Sequence, residues 1–330
     1  MTPLYHLEGD RLRRAETPVQ RPLRWAAWRP DARAALVVGN GGTALLADGD
    51  RFQPLATNTR QNLRGAAWSP DSSRALLAGN RGCVLLFDGR RFEALPSPTA
   101  ENLRRVAWSP DGSSALIVGN AGVVLRFDAA SGALAPVPGD RAHTMRSIAW
   151  RPDGAYALIG AYASRFAGYP RPHALYRCDG RYTQALLATD DEDDVVAIDW
   201  RPGASPPQAL ALDVANAEAG AGATAGATAG ATAGATAGAT AVSNKLFLYD
   251  GAGFAQLRIE SPAALLGAAW RPDGAHALIC GERGTLLRYD GAGIATLPSA
   301  TRDNLVGPFW RPDASSALLL KGPDEKVYTV

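Results

Sequence analysis

Seven tryptophans set the frame of this chain: Trp28, Trp68, Trp108, Trp150, Trp200, Trp270 and Trp310. Their spacings are 40, 40, 42, 50, 70 and 40 residues, and each is followed by Ser or Arg and then Pro. Six continue with Asp (Asp31, Asp71, Asp111, Asp153, Asp273 and Asp313), and the fifth has Gly203 instead. Self-similarity at a period near 40 restricts the fold to a stack or ring of small units, none of which buries its apolar face alone.

The third unit gives the local grammar. Residues 103–108 are a short apolar stretch ending in Trp108, which we designate strand a. Ser109-Pro110-Asp111-Gly112 then supplies turn chemistry, with Pro fixing φ, Asp bonding locally and Gly tolerating positive φ. Residues 115–118 form a continuous apolar run, as expected of a strand covered on both faces. Gly119-Asn120 ends that run, and residues 123–127 give a third strand. Asp-Gly closes the unit in most copies (Asp48-Gly49, Asp88-Gly89, Asp179-Gly180, Asp250-Gly251 and Asp290-Gly291), which predicts tight type I′ hairpins to a short fourth strand. Four antiparallel strands per unit, seven units and no helical periodicity predict an all-β, seven-bladed β-propeller spanning residues 1–330 as one domain.

The repeats resemble the WD40-like family in length, in strand–turn grammar and in the Trp-Ser/Arg-Pro-Asp-Gly stretch after strand a. The resemblance covers essentially the whole chain and implies the propeller fold and an interaction platform. The family's Gly-His before strand a is missing, and strand c ends in Phe/Tyr-Asp rather than Trp-Asp. Its buried His–Asp–Ser–Trp network is therefore not carried over.

Ring closure uses the termini, with about residues 1–20 completing the last blade. Residues 4–12 read as two strands joined by a turn, and residues 327–330 also read as strand c. We expect the C-terminal segment to take the strand c slot of blade 7, with residues 11–15 as strand d. Such closure covers edges that otherwise invite aggregation.

Function in a repeat fold is sought where copying fails, because insertions map to loops on one face. Blade 4 carries an insertion between strands b and c, with Tyr162, Arg165, Phe166, Tyr169, Arg171 and His173. Its connection to blade 5 is the acidic run Asp190, Asp191, Glu192, Asp193 and Asp194. Blade 5 has a longer b–c insertion, residues 215–244, including five copies of Gly-Ala-Thr-Ala. That tract lacks the apolar bulk to offset its ordering entropy and reads as a flexible loop, with a spacer or β-ribbon as the alternatives. The acidic run reads as a solvated loop, a surface for a basic partner or a Ca²⁺ site, although it lacks the spacing of a calcium loop. The aromatic and basic loop either packs back over its blade or meets a partner, since Tyr and Arg are favoured at interface hot spots.

Alignment of the units exposes one more pattern. Four residues before the motif Trp stand Arg24, Arg64, Arg104 and Arg146, then Val196, Leu266 and Val306. Strand a is innermost, so this position falls near the channel mouth on the loop-bearing face. Arg60, Asn62, Asn102, Arg105, Arg141 and His143 come nearby, with Asn40, Asn80 and Asn120 ending strand b. A guanidinium arc is suited to carboxylate or phosphate. Simple inheritance from an ancestral unit, with pairing to Glu101, Asp140 or water, is the competing explanation.

Other chemistry is absent from the sequence. Four histidines lie far apart, and no metalloprotease, nucleophile-elbow or phosphate-loop motif occurs, so neither a catalytic set nor a metal or cofactor is expected. Three cysteines at unrelated spacings indicate no disulfide framework; Cys178 and Cys280 occupy core slots. Asp199, just before Trp200, replaces the usual Ala, through function or through drift. The formal charge of +2 does not favour nucleic acid. Only three of the 34 basic residues are Lys, which with the Ala and Gly richness matches the coding bias of a GC-rich, bacterial genome. No signal peptide or membrane-length apolar run is read, so a cytoplasmic protein is expected. Two functions follow: a non-enzymatic protein-interaction scaffold using the loop face over blades 4–5, or a propeller enzyme or small-anion binder using the channel-mouth arginines.

Overall fold

The computed structural model describes residues 1–142, 144–162, 173–188, 194–214, 244–261 and 263–323. They form seven four-stranded antiparallel sheets arranged as a ring, an all-β seven-bladed propeller. The innermost strands are Leu23–Trp28, Leu63–Trp68, Leu103–Trp108, Thr144–Trp150, Val195–Trp200, Leu265–Trp270 and Leu305–Trp310. Each touches the innermost strands of both neighbours, and that of blade 7 touches that of blade 1. The strand at Asn244–Tyr249 pairs with Ala209–Val214, so the long insertion of blade 5 does not interrupt its sheet.

Blade 7 is completed differently from expectation. Pro3–Glu8 occupies the strand c slot, with Leu4 opposite Leu320, Tyr5 opposite Leu319 and Leu7 opposite Ala317. Arg11–Glu16 follows as strand d. One hairpin thus supplies both outer strands, and its apolar side chains Leu4, Tyr5 and Leu7 are at most 2% exposed. Burial decides the competition, because Leu4 joins the core between blades 7 and 1 while Tyr5 and Leu7 join the core between blades 6 and 7. Residues 327–330, expected in that slot, lie outside the described residues.

The core is seven clusters, each between two adjacent blades. Between blades 2 and 3, for example, Leu76 and Ala78 pack against Val106, Trp108, Ile117 and Phe127. Trp108 meets Phe127 edge-on at 5.6 Å. Its indole N–H donates to the carbonyl of Ala67 in the preceding blade at 3.0 Å. Trp28, Trp150, Trp200 and Trp310 make the same stitch, to Phe309, Ala107, Ala149 and Ala269. In these five blades the repeated tryptophan is therefore a fastener between blades as well as bulk within them, whereas the buried indole N–H groups of Trp68 and Trp270 have no such acceptor.

The turn after strand a behaves as its residues dictate. Asp31, Asp71, Asp111, Asp153, Asp273 and Asp313 each accept the backbone N–H two residues on. Its left-handed position falls on Gly in blades 3, 4 and 6, but on Ala32, Ser72 and Ala314 in blades 1, 2 and 7. The arginines here pair with these aspartates, as in Arg29–Asp31 at 3.2 Å. Arg29 and Arg311 also cover the tryptophan of the next blade, Trp68 and Trp28, and Arg201, in the blade with Gly203 in place of the aspartate, covers Trp270. The Asp-Gly hairpins are not type I′, since only the glycine has positive φ. The aspartate instead takes two N–H groups itself, as Asp88 does from Arg90 and Arg91 at 2.8 Å.

Candidate functional site

The mouth of the channel is shaped by a β-bulge recurring in every innermost strand. In blades 1–3 the residue skipped by the pairing is Arg24, Arg64 or Arg104, and in blade 4 it is Arg146. A bulge adds a residue, twists the strand and re-aims the side chain it carries. All four arginines are half-buried.

Three of them are held by an asparagine sixteen residues on. The Nε–H of Arg24 donates to Asn40 Oδ1 at 2.9 Å, that of Arg104 to Asn120 at 2.7 Å, and that of Arg64 to Asn80 in the same manner. These asparagines end strand b of the same blade, so each guanidinium is oriented by its own sheet. Such bonds neutralise no charge. Arg146 differs: its Nη1 lies 2.7 Å from Asp194 Oδ2, and the Asp194 side chain is only 4% exposed. Glu101 and Asp140, the acidic partners expected from sequence, do not fill this role among the described contacts; Asp140 instead accepts the N–H of Ala185.

The arginines converge closely enough to feel one another. Burial lowers the pKa of Arg64, and the charges of Arg24 and Arg146 lower it further. Burial holds Arg104 at about 9, helped by Arg146 and Arg64 and opposed by Asp194. Asp194 itself is pushed up by burial, with Arg146 and Arg104 pulling it down.

A fifth guanidinium sits one residue further along strand a. Arg105 lies over Trp25, 3.9 Å from the ring centroid, and its Nη1 donates to the carbonyls of Arg64 and Arg104 at 2.7 and 2.9 Å. Arg105 belongs to blade 3 and Trp25 to blade 1, so the side chain passes in front of blade 2. Gly65 lets the innermost strands of blades 2 and 3 approach closely here: a Cβ there would lie 2.6 Å from the Arg104 carbonyl oxygen and 2.9 Å from Arg105 Cα. Trp25 in turn meets Phe309 of blade 7 edge-on at 4.7 Å. Arg105 is half-buried on the channel wall, its buried Nε has no hydrogen-bond partner, and burial with Arg104, Arg146 and Arg64 holds it at about 9.

The sequence-predicted loop residues divide sharply. Tyr162 ends strand b of blade 4 and bridges to Asp194, so the described ends of the blade 4 insertion and of the acidic connection meet. The equivalent loops of other blades meet on the same side, as in Gly82 N–H to Glu101 carbonyl and Gly284 N–H to Asp303 carbonyl. His173 opens strand c of blade 4, half-buried and 5.9 Å from the Tyr176 ring. Arg165, Phe166, Tyr169, Arg171, His143, Asp190, Asp191, Glu192 and Asp193 lie outside the described residues, as do residues 215–243. Asp194 is buried against Arg146 rather than offered to solvent.

Several nearby candidates turn out to be structural. Asn62 and Asn102 accept the N–H of Gly41 and Arg81, which ties each strand a entry to the preceding blade's b–c turn. Arg60 and Arg141 are exposed. Cys178 and Cys280 are fully buried, as core slots require. Asp199 accepts the N–H of Trp200 at 3.0 Å and of Trp270 at 2.7 Å, linking blades 5 and 6, and burial pushes it up to about 7. No group of His, Cys, Asp and Glu among the described residues is arranged to hold a metal.

Sequence reasoning located the four arginines but missed Trp25, Arg105's reach across blade 2 and the Arg146–Asp194 pair. One signal was available: Trp25 is the eighth tryptophan, outside the repeat position.

The fold and this mouth define a class, a seven-bladed propeller with a cationic arc at one end of its channel. No protein-family model matches the chain, and no curated protein matches it. Solved structures do. The structure of YCF48 bound to a D1 peptide aligns with a TM-score of 0.64 at 12% identity, over 98% of this chain and 96% of that one. Kuenenia stuttgartiensis hydrazine synthase aligns with a TM-score of 0.68 at 13% identity, over 94% and 98%. At such identities the likeness is one of fold. No described helix is long and apolar enough to cross a membrane.

Proposed function

We propose that this chain is a non-enzymatic protein-interaction scaffold of the WD40-like kind, which uses its loop-bearing face to hold an acidic segment of a partner at the channel mouth. The observation that carries this reading is the convergence of Arg24, Arg64, Arg104, Arg105 and Arg146 with Asp194 as the carboxylate acting among them. Guanidinium groups gathered at a cost in burial and mutual repulsion are matched by carboxylates, which they engage in paired hydrogen bonds. The described surface supports a polar rather than an apolar contact, because Met1 and Tyr182 are its only exposed large hydrophobic residues. A propeller of the same architecture is known with a peptide bound. The described ends of the blade 4 insertion and of the acidic connection meet at the Tyr162–Asp194 bridge, beside Arg146.

The test is fluorescence anisotropy with a labelled, glutamate-rich peptide at low salt. Arg64→Gln/Arg104→Gln should abolish binding, and Arg151→Gln/Arg271→Gln, on the opposite face, should leave it intact. Equal binding by all three proteins would remove the proposal. The cluster also suits inorganic phosphate and organic acids, the small-anion reading. A thermal shift with phosphate that disappears in the Arg64/Arg104 variant, without peptide binding, would favour that reading instead.

A further inference from the structure

The ring of bulge positions is not uniformly cationic. Blades 1–4 place Arg24, Arg64, Arg104 and Arg146 there, and blades 5 and 6 place Val196 and Leu266. In blade 7 the residue four before the tryptophan is Val306, which pairs with Leu320 immediately before that strand's own irregularity at Gly307 and Pro308. The three apolar side chains are consecutive around the mouth and half-buried, so each keeps part of its surface open while packed in the same collar as the arginines. Repeat inheritance accounts for a residue staying the same, but it does not account for charge being confined to one arc and apolarity to the other.

We infer that the mouth recognises an amphipathic acidic segment, with carboxylates on the arc of blades 1–4 and a neighbouring apolar side chain on the arc formed by Val196, Leu266 and Val306. This rests on the reading of the mouth as an acidic-segment site and names the second half of what it selects. The two halves do different jobs. Charge draws the segment in and loses strength with salt. The apolar arc removes nonpolar surface from water and discriminates among acidic segments, a contribution that salt does not screen. One residue along strand a from this collar, Arg105 of blade 3 lies over Trp25 of blade 1.

The experiment compares two labelled peptides of equal length and charge, one alternating Glu with Leu and the other alternating Glu with Ser, on the unaltered protein. The Glu-Leu peptide should bind about tenfold more tightly, and the ratio should persist as salt is raised. Leu266→Ser/Val306→Ser should erase the ratio while leaving the Glu-Ser affinity unchanged, and a circular-dichroism melt confirms folding of that variant. Equal affinity of the two peptides for the unaltered protein overturns the inference whatever the variant does. If both peptides then still require Arg64 and Arg104, acidic recognition stands and only the apolar arc fails. If neither peptide depends on those arginines, both readings fail together.

Discussion

Replacing Arg104 with Gln should make the unliganded protein more stable. Arg104 is held at about 9, first by burial and then by Arg146 and Arg64, with Asp194 opposing. A guanidinium depressed this far is disfavoured in the folded state at every pH below about 9, so the cost is fully present at pH 7. A depression of that size would correspond to about 5 kcal/mol, but the side chain is only half-buried, and solvent screening brings our expectation to about 1–2 kcal/mol. Gln removes the charge and retains a group able to bond Asn120, whose hydrogen bond to Arg104 contributes about 1 kcal/mol. Urea unfolding followed by tryptophan fluorescence measures the difference. At about 10 mM salt the Debye length is about 30 Å, longer than the spacing of the cluster, and at about 1 M it is about 3 Å. The advantage of Arg104→Gln should therefore be largest at low salt and shrink as salt rises. A variant less stable than wild type at low salt, with a gap that salt does not change, would refute the claim that these guanidiniums repel one another.

Two further outcomes concern the scaffold. Asp199 has a folded pKa of about 7, above its unfolded value, so its stabilising effect is fully present below about pH 4 and is lost as pH rises through 7. The stability of wild type relative to Asp199→Ala should fall across that window by at most about 4 kcal/mol; a difference that stays flat from pH 4 to 8 would show that the channel wall does not perturb this carboxyl. Trp108→Ala should cost about 3–5 kcal/mol, because it empties a site between blades 2 and 3 and leaves the Ala67 carbonyl without its indole donor. A loss under about 1 kcal/mol in chemical denaturation would mean that the neighbouring blades collapse into the space.

The sequence by itself determined the architecture. A tryptophan every 40 residues, Pro-Asp after it and Asp-Gly further on are local signals, and each acts through backbone chemistry within a few residues. That is why seven blades, their strand order and the asparagine-terminated strand b were legible without coordinates. The same regularity exposed Arg24, Arg64, Arg104 and Arg146 as a set, since a repeated unit acts as a ruler along the chain.

What only the tertiary structure decided were relations between positions far apart in sequence. Two segments carried strand c patterns, and pairing of Leu4 and Leu7 against Leu320 and Ala317 selected the N-terminal one. Hydrophobic pattern is a property of a segment, whereas occupancy of a slot depends on which neighbours bury it. Arg105 bonds the Arg64 carbonyl and lies over Trp25, a contact among three blades that exists only once they are packed side by side. Asp194 read as one of five acidic residues in a loop; folding buries it against Arg146, 48 positions away. Ring closure therefore brings a row of repeated arginines within range of one another, because Coulomb interactions depend on distance through space and not along the chain.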